Sequence, residues 1–114
     1  MVTVYGIKNC DTMKKAFTWL DEHNIDYAFH DYKKSGVPEE RLRAWIAVTG
    51  WELLINRRGP TFRKLAPDRQ AHLDEERALA LMLEYSSVIK RPIIETGLEL
   101  LLGFDPALYA KNFS

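Results

Sequence analysis

Thr3-Val4-Tyr5-Gly6-Ile7-Lys8-Asn9-Cys10-Asp11-Thr12-Met13 carries the only cysteine of the chain and sets it where an apolar strand pattern gives way to a helical one. Val2 to Tyr5 is short, β-branched and aromatic and runs into Gly6, whereas from Asp11 onward the apolar residues recur at helical spacing. Cys10 therefore falls on the loop that opens the first helix. Unpaired peptide N–H groups and the positive end of the helix dipole at such a place favour a thiolate over a thiol. Lys8, Lys14 and Lys15 add positive charge and Asp11 opposes it. A lone cysteine is also commonly a small buried hydrophobe, so position alone leaves both readings open.

Outward from this stretch, Met13, Ala16, Phe17 and Leu20 keep the i, i+3, i+4, i+7 spacing and predict a helix over residues 11–23, ended by Asn24. Tyr27-Ala28-Phe29-His30-Asp31-Tyr32 reads as a strand, and a helix between two strands makes a parallel βαβ crossover the economical arrangement. Lys33, Lys34, Ser35 and Gly36 then form a polar loop. Pro38 with Glu39 and Glu40 opens a second helix that carries Leu42, Trp45 and Ile46 inward and stops near Gly50. Farther on, Asp74 caps a third helix through Glu84, with Leu79, Met82 and Leu83 inward, interrupted by Ser86 and Ser87. The stretch from Lys90 to Gly103 predicts two short strands around a turn at residues 95–97. Asp105 and Pro106 begin a terminal helix that faces Leu108, Tyr109 and Phe113 inward.

Between these elements Asn56-Arg57-Arg58-Gly59-Pro60-Thr61-Phe62-Arg63-Lys64 concentrates basic residues around a Gly-Pro turn. Such a run is either a solvated face or a clamp for anions, since arginine recognises oxyanions in a planar, bidentate way.

A chain of 114 residues fits one domain that buries about two thirds of its unfolded surface. Sixteen Lys and Arg against sixteen Asp and Glu leave a formal net charge of zero, so nothing global points to nucleic acid or an anionic membrane. The N-terminal residues lack the apolar core of a signal peptide, and no apolar run approaches the roughly 18 residues of a membrane span. The expectation is a soluble, cytoplasmic protein. One cysteine cannot form an internal disulfide, and His23, His30 and His72 are scattered, so no metal site is expected.

The order βαβ, helical middle, ββα with an X-Pro before the last unit is the plan of the thioredoxin fold. Three segments go further: YGIKNCDTMKKA, INRRGPTFRKL and IKRPIIE, in this order and over essentially the whole chain, resemble the ArsC/Spx family and its YffB-like branch. The resemblance implies an α/β fold with a thioredoxin-like core (a mixed four-stranded sheet) at about 1–35 and 89–114, carrying a helical insertion at about 36–88. It implies a redox nucleophile at Cys10, with Arg91 holding a carboxylate or oxyanion. The family's other arginine falls on Arg57, with Arg58 as a one-residue alternative. Pro92 is expected as a cis proline that presents backbone to a thiol substrate, although only about 5–6% of X-Pro bonds are cis and a proline here also suits the start of an edge strand. The resemblance also implies that Asn9, Asp11 and Thr12 of this loop take part with Pro92 in substrate binding. Thr12 is either a helix-terminal hydroxyl or a donor to the sulfur, and Asn9 either orders the loop or is turn chemistry.

Two departures from the family pattern limit the activity. Dithiol members have a second cysteine three residues after the first, where this chain has Met13. The arginine that glutaredoxin-coupled arsenate reductases carry after the hairpin has no counterpart in Gly103-Phe104-Asp105-Pro106-Ala107. The expected function is accordingly a monothiol reductase with glutathione as co-substrate and no bound cofactor. The alternatives are a non-catalytic regulator that binds RNA polymerase as Spx proteins do, with Trp51 and the basic run facing the partner, or an arsenate reductase working with glutaredoxin.

Overall fold

The computed structural model describes residues 2–113. Strand β1 (Val2–Gly6) and strand β2 (Tyr27–Asp31) pair in parallel, Val4 opposite Phe29, with helix α1 (Asp11–Glu22) as the crossover between them. Strand β3 (Ile93–Glu95) runs antiparallel to the other side of β1, Val4 opposite Ile94, and strand β4 (Leu100–Leu102) runs antiparallel to β3. The sheet order is β2-β1-β3-β4, the mixed four-stranded α/β sheet expected from the sequence. The chain divides into two compact units, residues 1–35 with 91–114, and residues 36–90.

In the first unit α1 buries Met13, Ala16 and Leu20 completely, and these pack with Val4, Ile94, Leu101 and Tyr109 into one cluster. Each such leucine or methionine contributes about 1.5–3 kcal/mol through removal from water. Gly6 is required by this packing: a Cβ there would lie 2.5 Å from Met13 Sδ and 2.6 Å from its Cε. The helix ends as anticipated, with Asn24 in the left-handed region at φ 56°. The hairpin turn is held by Thr96, whose N–H donates to the Glu99 carbonyl at 3.0 Å and whose hydroxyl accepts the Glu99 N–H at 2.9 Å. Helix α7 (Pro106–Phe113) is capped by Asp105, which accepts the Leu108 N–H at 3.2 Å. The Tyr109 hydroxyl fastens it by donating to the Gly103 carbonyl at 2.6 Å.

One expectation in this unit is corrected. Tyr32 ends no strand; it begins a short helix, α2 (Tyr32–Ser35), where a loop was expected. The Asp31 carboxylate accepts the Lys33 N–H at 2.9 Å and so offers the backbone a turn in place of the next ladder bond.

The second unit is helical. Helix α3 (Glu39–Thr49) buries Leu42, Trp45 and Ile46, with Pro38 just outside it as N-cap. Helices α4 (Pro60–Arg63) and α5 (Pro67–Gln70) are single turns, tied by Gln70 Nε2 donating to the carbonyls of Arg63 and Leu65. Helix α6 (Glu75–Glu84) has the predicted cap, Asp74 accepting the Arg77 N–H at 2.8 Å. Its inner face is Ala78, Leu79, Leu81 and Met82, while Leu83 is only half-buried. The Asn56 N–H to the Val88 carbonyl and the Lys90 N–H to the Leu54 carbonyl, both 2.7 Å, close the unit around the Ile55 and Ile89 bridge.

Candidate active site at Cys10

Gly6 ends β1, and the chain then turns through Ile7, Lys8 and Asn9 to Cys10, which is the N-cap residue of α1 with extended angles, φ −143° and ψ 132°. Its carbonyl accepts the Lys14 N–H at 2.9 Å as the first helical bond. In this geometry an N-cap side chain looks back at the N–H groups of the second and third helical residues, here Thr12 and Met13. Cys10 is half-buried and forms no disulfide.

Burial by itself raises a thiol pKa, but here it is outweighed. The Met13 peptide N–H, the charge of Arg91, the Thr12 peptide N–H and hydrogen bonding from the Arg91 guanidinium together hold the Cys10 thiol below its ordinary value of 9.0. The helix start and one guanidinium thus act on the same sulfur, the arrangement that generates thiolates in reactive cysteines. Thr12 contributes through its peptide N–H. Met13, whose side chain is fully buried beneath Gly6, contributes through its backbone alone, a role the sequence reading did not assign it. The signal was available, because naming Cys10 as N-cap names the third helical N–H as well.

Arg91 reaches the thiol from the other end of the sequence, immediately before β3. The Arg91–Pro92 peptide bond is cis, as expected, and Pro92 is buried with its carbonyl accepting the Gly103 N–H at 2.8 Å. Asn9 and Asp11 flank the thiol in sequence and are both exposed. Arg57 stands in the second unit, exposed, its guanidinium carbon 5.3 Å from the centroid of the Trp51 ring. Arg58, also exposed, donates its peptide N–H to the Asn56 side-chain oxygen at 3.1 Å.

Two tyrosines that the sequence did not single out interact electrostatically with one another, and Tyr32 also with Arg91. The Tyr5 hydroxyl donates to Glu95 Oε1 at 2.8 Å, bridging β1 and β3. The Tyr32 hydroxyl is buried without a hydrogen-bond partner among the described residues. Its pKa is pushed far up by burial and by the negative potential of Tyr5 and Glu95, against the opposing charge of Arg91. Tyr32 is therefore a neutral phenol near the guanidinium at all working pH. Among the described residues no group of three or more His, Cys, Asp and Glu side chains is placed to hold a metal ion, and no helix is long and apolar enough to cross a membrane.

A solved structure of a YffB protein is 53% identical to this chain, covers all of both chains and superposes with a TM-score of 0.96. A protein of Haemophilus influenzae of uncharacterized function is 42% identical over 114 residues, the full length of both chains. The global transcriptional regulator Spx of Streptococcus pneumoniae is 27% identical over 107 residues, 92% of this chain and 80% of the regulator. The ArsC family model matches residues 5–112, and the chain belongs to the ArsC family.

Proposed function

We propose that the protein is a monothiol reductase that removes glutathione from mixed disulfides through Cys10. The observation that carries this reading is the joint action of the α1 N-terminus and Arg91 on one half-buried thiol. The Cys10 thiolate attacks the glutathione sulfur of a mixed disulfide. A Cys10–glutathione disulfide forms, the substrate S–S bond breaks, and the substrate sulfur leaves as a thiolate. A glutathione thiolate then attacks the glutathione sulfur held on Cys10, giving oxidised glutathione and restoring the Cys10 thiolate. The substrate disulfide is reduced and two molecules of glutathione end as one disulfide. Met13 stands where a resolving cysteine would be, so the second thiol comes from solution. Arg91 favours the attacking thiolate and offers a planar donor to a glutathione carboxylate.

The test is intact-mass analysis after treatment with oxidised glutathione, followed by turnover of a glutathionylated peptide with free glutathione. One glutathione per chain, absent in Cys10→Ser, and turnover lost in that variant are expected. A chain that takes up no glutathione at Cys10 while its thiol remains alkylatable overturns the proposal.

A second reading, a binding protein without turnover, is favoured by the likeness to Spx and by one surface of the second unit. There Val48 is 74% and Leu53 56% exposed, near the half-buried Trp51 in sequence. Pull-down from cell extract with wild type and with Leu53→Ser distinguishes it, because a thiol reductase has no need of that leucine. The narrower reading of arsenate reduction is checked by turnover with arsenate, glutathione and glutaredoxin against Cys10→Ser.

A further inference from the structure

A groove of about 530 Å³ opens on the first unit between α1, β2 and α2, reaching the loop residues Lys8 and Asn9. This is the size range of small-molecule sites. Its floor is aromatic. Phe17 of α1 lies face to face with Tyr27, centroids 5.5 Å apart and planes 12° apart, and edge-on to Phe29 at 5.0 Å. All three rings are half-buried, so each keeps apolar surface open to a ligand. β2 is the outermost strand of the sheet on this side, and no further strand covers the rings among the described residues.

The rim is cationic. Lys8, Lys14 and Lys34 are all exposed, and none has an ion-pair partner among the described residues. Against the three lysines stand two carboxylates, Asp31, already accepting the Lys33 N–H, and Asp21, engaged by the Tyr27 hydroxyl. In a chain whose charges balance overall, this is a local excess of positive charge set over an aromatic floor. An inorganic anion leaves the rings unused, a neutral ring leaves the lysines unused, and a cation is repelled. The ligand that uses both is an organic anion with a flat, apolar body. Asn9, at the groove's edge, is one Cα step of about 3.8 Å from Cys10.

We propose that this groove binds the body of the substrate, and that the substrate class is a flat, aromatic or similarly apolar carboxylate whose mixed disulfide with glutathione then presents the glutathione sulfur to Cys10, the substrate sulfur being the leaving thiolate. The inference deepens the monothiol-reductase reading and rests on it for the chemistry, although the groove itself needs no reactive thiol.

The experiment uses the full-length Cys10→Ser protein, where no disulfide forms, titrated with 2-naphthoate and followed by NMR shifts of the rings of Phe17, Tyr27 and Phe29. Saturable shifts of these rings are expected, with no comparable saturation by acetate or by neutral 2-naphthamide. The double substitution Lys14→Gln, Lys34→Gln, which changes only exposed side chains, is expected to weaken binding by about five- to tenfold. Shifts that fail to saturate, or an affinity unchanged by the double substitution, overturn the inference. Neither outcome touches the reductase proposal, which is decided separately by glutathione uptake at Cys10.

Discussion

At Cys10 the balance between burial and four opposing influences fixes a pH dependence whose sign can be stated. The folded thiol titrates below the unfolded one, so between those two values the unfolded chain binds more protons and stability rises with pH. The stabilisation is present in full above the ordinary thiol value of 9.0 and is lost as pH falls through the folded value. Chemical denaturation of wild type and Cys10→Ser across this range is expected to show the difference growing in favour of wild type as pH rises, then levelling. Arg91→Gln removes a favourable charge and a hydrogen-bond donor, so the same series shows a smaller pH-dependent gain and alkylation of Cys10 near pH 7 is several-fold slower. A gain in Arg91→Gln equal to that of wild type assigns the effect to the helix start alone. The cysteine's position was legible because a strand pattern meets a helical one at that point. Arg91 was not legible from local pattern: it is 81 residues away along the chain, and only resemblance to a family joined the two.

At the scale of elements, β1 and α1 are locked by the contact between Gly6 and Met13. Gly6→Ala inserts a methyl against Met13 Sδ and Cε, the far end of a flexible but fully buried side chain that must shift within the core. Overpacking of this kind costs about 1–3 kcal/mol, and Met13→Ala, which leaves a cavity, costs about 2–5 kcal/mol. In the double variant the new methyl occupies part of the vacated space. Thermal or urea unfolding is therefore expected to show a loss smaller than the sum by about 0.5–3 kcal/mol, and simple additivity removes the packing account. The periodicity that placed Met13, Ala16 and Leu20 inward, and the caps Asp74 and Asp105, were legible because they are local in the chain. α2 escaped notice because Tyr32 suits a strand and the deciding group is the side chain of the preceding aspartate. Leu83, expected on the inner face of α6, is only half-buried, and Leu81, three residues beyond Ala78, lies on the buried side instead. The aromatic groove is not legible in the sequence for a related reason: Phe17 belongs to a helical pattern and Tyr27 and Phe29 to a strand pattern, and only the packing of α1 on β2 joins the three rings.

Over the whole molecule the formal charge is zero, so an approaching anion meets no net long-range attraction, and fields beyond about 8 Å are screened at physiological ionic strength. Any preference for anionic reagents must come from how charge is distributed near Cys10. Lys8, Lys14 and Lys15 lie within five residues of it along the chain, and Arg91 acts on the sulfur itself, against Asp11 in the first turn of α1. Comparing iodoacetate with neutral iodoacetamide isolates that local field, because the two reagents alkylate the same thiolate. For glutathione, an anionic small thiol, added salt screens repulsion and the iodoacetate-to-iodoacetamide rate ratio rises. For this protein the ratio is expected to start above that of glutathione at about 0.01 M salt and to fall toward it by about 1 M, where the Debye length is only about 3 Å. Lys14→Gln with Lys34→Gln is expected to flatten the fall without abolishing it, since Arg91 remains. A ratio that rises with salt in the protein as it does in glutathione leaves no cationic environment at the thiol, and with it goes the electrostatic basis for an anionic substrate.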